Sequence, residues 1–138
     1  MKSSLSAGAS TTRSFVVDKD RTIGFMGEEG RVYATPSLIR DIEQTCRDFI
    51  VTHADAGEDF VGMDVSIRHA APTLPGMTVE ITAKVAAVDG RKVTFEITAR
   101  DDAESIAEGK HTRFVVDVAK TLERLKAKAA NRSAAPAA

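Results

Sequence analysis

Three residues along the middle of the chain carry side chains suited to acyl-transfer chemistry: a hydroxyl at Thr35, a carboxylate at Glu43 and an imidazole at His69. Hydrolysis of an activated acyl group needs a nucleophile, a group that takes up its proton, and donors for the carbonyl oxygen. Thr35 can orient the attacking water or attack directly, Glu43 can act as general base or nucleophile, and His69 can share the proton or polarise the carbonyl. Backbone N–H groups at a helix start, or at Gly62 where no side chain blocks approach, can hold the developing oxyanion. Each residue also has a plainer reading: Thr35 as an N-cap, Glu43 as the i,i+4 partner of Arg47, His69 as a core histidine at a strand end. No metal-ligand spacing, phosphate-cradling glycine motif or nucleophile elbow competes with the trio, and neither a metal nor a redox cofactor is expected.

The elements that must position these groups follow from hydrophobic periodicity. Thr35-Pro36 opens a helix that runs towards His53, with Pro36 at the first position, where no N–H is needed. At 3.6 residues per turn Leu38, Ile39, Ile42, Cys46, Phe49 and Ile50 share one arc, while Arg40, Asp41, Gln44, Arg47 and Asp48 lie outside it. Glu43 falls just past the edge of the arc, which sets its carboxylate at the seam between helix and sheet.

After this helix the pattern changes to alternation. Val61, Met63, Val65 and Ile67 share one parity with His69, opposite to Gly62, Asp64, Ser66 and Arg68. The Pro72, Pro75 and Gly76 punctuation ends this strand. Val79, Ile81, Ala83 and Val85 then define a second inward row, and Asp89-Gly90 reads as a hairpin turn into a third row of Val93, Phe95, Ile97 and Ala99. A last strand spans Ser105 to Val118, its phase blurred around Gly109, where a bulge is expected. Ser14–Asp18 is a further short strand, and the irregular, glycine-containing stretch from Asp20 to Val32 reads as a lid ahead of the helix. The result is an α+β domain, an antiparallel sheet of about five strands laid on one central helix and joined largely as a meander. Residues 1–12 read as a disordered leader, 13–120 as the domain, and 121–138 as a short helical extension with a frayed tail.

Composition narrows the function classes. The 138 residues carry 19 basic and 20 acidic side chains, a formal net charge of −1 with the signs well mixed. No basic stripe recommends nucleic acid, so a small molecule or a second copy of the chain is the expected partner. The lone Cys46 lies on the apolar arc and excludes an internal disulfide, which fits a cytoplasmic protein. Neither a signal-peptide core nor a run of membrane-spanning length is present. His53 and His111 read as a helix C-terminal dipole partner and a strand-surface residue.

The order of motifs resembles the fluoroacetyl-CoA thioesterase-like group of hotdog-fold proteins over about residues 14 to 120. The resemblance rests on a Thr opening the central helix, a Glu eight residues later, Gly62 to His69 followed by the turn PTLPGMTV, and Gly-x-His-x-Arg from Gly109 to Arg113. It implies a hotdog fold and thioester hydrolysis with Thr35, Glu43 and His69 as the catalytic constellation. By the same resemblance Gly62 and Arg113 match substrate-contacting positions, although Arg113 also fits an outward-facing strand cation. The segment FMGEEGRVYA is short of the aromatic residues that close the lid over the smallest acyl group in the family's namesake, and the substrate expected is a short or modified acyl-CoA. A non-catalytic acyl-CoA or small-ligand binding protein and a hotdog hydratase or dehydratase are the alternatives on the same fold. Homodimerisation is expected, since the sheet would otherwise leave edges and polar seam residues unpaired.

Overall fold

In a computed structural model, which describes residues 1–134, five antiparallel strands form one sheet. The elements run β1 (Ser10–Val16), α1 (Thr35–Ile50), β2 (Glu58–His69), β3 (Thr78–Asp89), β4 (Lys92–Arg100), β5 (Ser105–Asp117) and α2 (Val118–Ala134). Their order in the sheet is β1-β3-β4-β5-β2. The meander therefore holds for β3, β4 and β5, but β2 lies at the far edge, paired with β5 and not with its successor β3.

The inward rows of β3 and β4 lie as their alternation requires, with Val79, Ile81, Ala83, Val85, Val93, Phe95, Ile97 and Ala99 all buried. Gly90 closes the β3–β4 hairpin at φ +60°, a conformation glycine adopts without a steric cost. α1 lies across this face and buries Leu38, Ile42, Cys46 and Ile50 completely. Ile39 and Phe49 are half-buried, and the buried face extends instead to Asp41 and Thr45, two polar residues that the apolar arc leaves outside.

β2 departs from strict alternation. Its register against β5 shifts between Gly62 and Asp64, so Met63 is an extra residue that bulges out of the ladder. The inner face of β2 therefore reads Phe60, Gly62, then Val65, Ile67, His69, while Val61 and Met63, expected inside, are 44% and 55% exposed. No register shift falls at Gly109, where a bulge was expected; the shift in β5 lies nearer its start, against Ala99 and Arg100. Gly109 is demanded by close approach: a Cβ there would lie 2.0 Å from the Ser66 carbonyl oxygen.

The N-terminal segment is not a structureless leader. Leu5 is 5% exposed, Lys2 N–H donates to the His53 carbonyl at 2.7 Å, and Gly8 and Ala9 exchange backbone hydrogen bonds with Val85 at 2.8 and 2.7 Å. β1 also starts four residues earlier than the apolar pattern of Ser14–Asp18 indicates, because Ser10–Arg13 already pair with β3. One apolar residue among serines carries too little periodicity to announce docking, yet its contact area supplies the anchor. At the other end α2 continues through residues 131–134 of the expected frayed tail, whose remainder, 135–138, lies outside the described residues.

Leu5→Ala is expected to cost about 2 kcal/mol or more of unfolding free energy, measured by urea denaturation. An unchanged midpoint would show that the segment contributes no packing.

Candidate functional site

α1 starts without a side-chain cap. Its N-cap position is Ala34, Pro36 fills the first turn, and the Thr35 hydroxyl lies 2.8 Å from His69 Nδ1, where it is engaged with the imidazole and not with the helix backbone. His69 is the last residue of β2 and reaches the helix start from the inner face of the sheet. The Tyr33 ring stands against it in a T-shaped contact, with centroids 6.2 Å apart and an interplanar angle of 79°. His69 Nε2 is buried and has no hydrogen-bond partner among the described residues. Burial lowers the imidazole pKa below its usual 6.5, which leaves the ring neutral at pH 7. When Thr35 donates to Nδ1, the free Nε2–H can donate to a carbonyl oxygen; in the other tautomer Nε2 is a proton acceptor.

The pair opens on a cavity of about 410 Å³ whose walls are mostly apolar, among them Ile23, Phe25, Val32, Pro36 and Pro72. Ile23, Phe25 and Val32 belong to the loop between β1 and α1, which includes single 3₁₀ turns at Lys19–Arg21 and Glu28–Gly30. Phe25 is 83% exposed at the cavity mouth.

Glu43 does not join Thr35 and His69 within the chain. Eight residues separate it from Thr35, about 12 Å along a helix, and it faces a second cluster. A Cβ built on Gly62 would lie 3.1 Å from Glu43 Oε1, 3.4 Å from an Arg113 guanidinium nitrogen and 3.4 Å from His111 Cε1. Gly62 thus leaves open the space in which a carboxylate, a guanidinium and an imidazole meet. Arg113 donates to the Phe60 carbonyl at 2.7 Å. His111 Nδ1 lies 2.8 Å from the Asp64 carbonyl oxygen, so Nδ1 carries the proton and Nε2 is free to accept from Arg113 at 3.3 Å. Burial pushes the pKa values of both His111 and Arg113 below their ordinary values.

Sequence reasoning joins three groups that the chain holds as two sets, Thr35 with His69 and Glu43 with Gly62 and Arg113. His111, expected on the strand surface, is completely buried, and Arg113 faces inward at 8% exposure. The spacing of Gly109, His111 and Arg113 is itself the overlooked signal, because residues two apart on a strand share a face. Cys46 is the buried apolar filler expected, its thiol pKa pushed up to about 12 by burial. His53 follows α1 in a 3₁₀ turn, hydrogen-bonded to Ser4 and packed on Phe49. Among the described residues no group of three or more His, Cys, Asp or Glu side chains is placed to hold a metal ion.

A sheet of this order wrapped on one central helix, with an ionisable seam between them, defines a hotdog domain. Residues 17–119 match the model of the fluoroacetyl-CoA-specific thioesterase family, FlK, and the chain belongs to that family. The fluoroacetyl-CoA thioesterase of Streptantibioticus cattleyicolor is 29% identical over 127 residues, covering 87% of this chain and 91% of the relative. A mutant of FlK in complex with fluoroacetate and CoA superposes with a TM-score of 0.78 at 28% identity, over 85% of this chain and 99% of that one. A thioesterase superfamily member from Thermus thermophilus gives a TM-score of 0.85 at 25% identity, over 94% and 96% of the two chains.

The buried His111 and the half-buried His69 set a pH dependence of stability. Both native pKa values lie below 6.5, so the unfolded chain binds more protons as pH falls through that value, and stability complete above about pH 6.5 is lost on acidification. Melting temperature is expected to fall between pH 7.5 and pH 5, a window above the one in which the depressed carboxyl of Asp59 is protonated. A flat profile over that range would contradict the burial of the two rings in neutral form.

Proposed function

We propose that this chain is an acyl-CoA thioesterase that works as a homodimer, releasing a carboxylic acid and the CoA thiol from a short or modified acyl-CoA. The observation that carries the reading is the hydrogen bond between Thr35 and a neutral His69 at the mouth of an apolar cavity, with Nε2 buried and free. That arrangement offers a hydroxyl whose proton the imidazole can share and a donor for the thioester carbonyl, while the thiolate leaves without much help. Family membership and the thioesterase names of the relatives support the same chemistry.

The dimer brings in Glu43. β2 ends the sheet and presents a 12-residue edge of backbone donors and acceptors, and both sets of polar groups lie along it. A two-fold axis midway between Gly62 and His69, near Val65 and Ser66, would pair β2 with β2 of a second copy in antiparallel fashion. Passing beside Ile39, midway between Thr35 and Glu43, the same axis would set the Thr35–His69 pair of one copy opposite Gly62 and Glu43 of the other. A carboxylate there can take the proton of the attacking water or attack the acyl carbon itself. The mostly apolar cavity walls suit an uncharged acyl group, and relatives named for fluoroacetyl-CoA make small acyl groups the first to test. Among the described residues no helix is long and apolar enough to cross a membrane. A buried, unpaired Cys46 fits the reducing cytoplasm as the site of action.

An acyl-CoA chain-length screen read by release of free thiol tests the assignment directly. Tight acyl-CoA binding without thiol release would make the protein a binding module, and consumption of enoyl-CoA without free thiol would make it a hydratase. Glu43→Gln is expected to lower turnover on the order of a hundredfold or more with little effect on the fold, with His69→Ala in the same class. Thr35→Ser, which keeps the hydroxyl, should lose less than Thr35→Ala. Near-wild-type turnover in Glu43→Gln would remove the carboxylate from the mechanism, and light scattering near 14.8 kDa at micromolar concentration would remove the dimer.

A further inference from the structure

A second buried polar cluster lies behind the Thr35–His69 pair. Asp41, 2% exposed on the sheet-facing side of α1, accepts the Tyr33 hydroxyl proton at 2.5 Å and is held by Arg21 through Nε at 3.0 Å and a second guanidinium nitrogen at 3.3 Å. Tyr33 is equally buried, and burial beside Asp41 pushes its phenol pKa well above the ordinary value, so the hydroxyl is a fixed donor. An apolar residue at position 41 would pack there without the cost of desolvating a carboxylate. The ion pair therefore asks for a role besides stability.

Its surroundings indicate one. Arg21 and Tyr33 stand on the two stems of the loop that lines the cavity: Ala34 N–H donates to the Arg21 carbonyl at 2.8 Å, Thr22 bridges to Tyr33, and Ile23 N–H donates to Val32 at 3.0 Å. Tyr33 N–H is fixed in turn by the Thr73 carbonyl at 2.9 Å. The Tyr33 ring, so anchored, is the aromatic surface against which His69 is set, two residues before Thr35. We propose that Arg21, Asp41 and Tyr33 form a buried latch whose task is to position the Thr35–His69 pair for catalysis. The latch replaces the helix cap that Thr35 does not supply: it holds the entry to α1 from inside the helix and leaves the threonine hydroxyl to the imidazole. The polar side-chain atoms of Tyr33 and Asp41 are engaged within the latch, which acts on the Thr35–His69 pair through the Tyr33 ring, so the three are positioning residues, and the proposal rests on the thioesterase reading for its kinetic part only.

Tyr33→Phe keeps the ring and deletes the hydroxyl, and two readouts decide the matter. In steady-state hydrolysis of an acyl-CoA that the wild type turns over, kcat is expected to fall about tenfold with KM within about twofold, the signature of lost preorganisation and not of lost substrate contact. By NMR of ¹⁵N-labelled histidine, the His69 ring resonances should shift or broaden while those of His53 stay in place. Asp41→Asn keeps an oxygen for the Tyr33 hydroxyl and should show a smaller change in both; it carries the test with the same readouts if Tyr33→Phe fails to fold. Wild-type kcat and unmoved His69 resonances in a folded variant would overturn the latch, even with a lowered melting temperature. Moved His69 resonances in a protein whose wild type releases no thiol would uphold the latch and overturn the thioesterase reading instead.

Discussion

In a regular strand Gly62 and His69, seven residues apart, would face opposite sides of the sheet. The bulge at Met63 removes that parity conflict, so the inner face of one edge strand carries both the glycine beside Glu43 and the histidine bonded to Thr35. Much of the polar seam depends on it. The carbonyl groups of Phe60 and Asp64, which flank the bulge, are taken up by Arg113 and His111 from β5. Buried polar side chains and an irregular backbone thus satisfy one another in part: His111 Nδ1 and two guanidinium nitrogens of Arg113 find partners, while Arg113 Nε is buried without one among the described residues.

The same device explains what the amino-acid pattern conveys and what it hides. β3 and β4 carry uninterrupted period-two rows backed by the full core, and their inward residues are legible one by one. β2 carries apolar residues on both parities before its bulge, and Val61 and Met63 prolong the row of Val65 and Ile67 across a register shift that no residue type announces. His111 and Arg113 are hidden for a related reason: polar residues on a strand usually mark the solvent face, and only the backbone carbonyls beside the bulge make an inner position tolerable. Asp41 escapes notice because its partners come from outside the helix, Arg21 and Tyr33 from the two stems of the loop that precedes it. Local periodicity cannot register a salt bridge whose halves are twenty residues apart.

Thr35, Glu43 and His69 stand out in the sequence because side-chain chemistry and element ends coincide there: a threonine before proline, a carboxylate at the edge of an apolar arc, a histidine closing an alternating strand. Their division into two sets depends on depth along the helix, which a list of converging groups leaves out. A rise of about 1.5 Å per residue makes an eight-residue separation incompatible with direct contact between Thr35 and Glu43 in one protomer. Bringing both kinds of group to one substrate is what the proposed second copy would do.

The open start of α1 is affordable on energetic grounds. A good N-cap is worth about 1 kcal/mol, whereas burying Leu38, Ile42 and Ile50 contributes on the order of 2 kcal/mol each. The helix is thus held on the sheet by its apolar face and does not need Thr35 for its stability. Freed from capping, the hydroxyl can be committed to His69, and Ala34, Thr35 and Pro36, at the positive end of the helix dipole, line the cavity. Packing in the middle of α1 thereby supports chemistry at its tip. No acidic side chain stands in the first turn of α1 to offset that field, and Glu43 lies two turns further on.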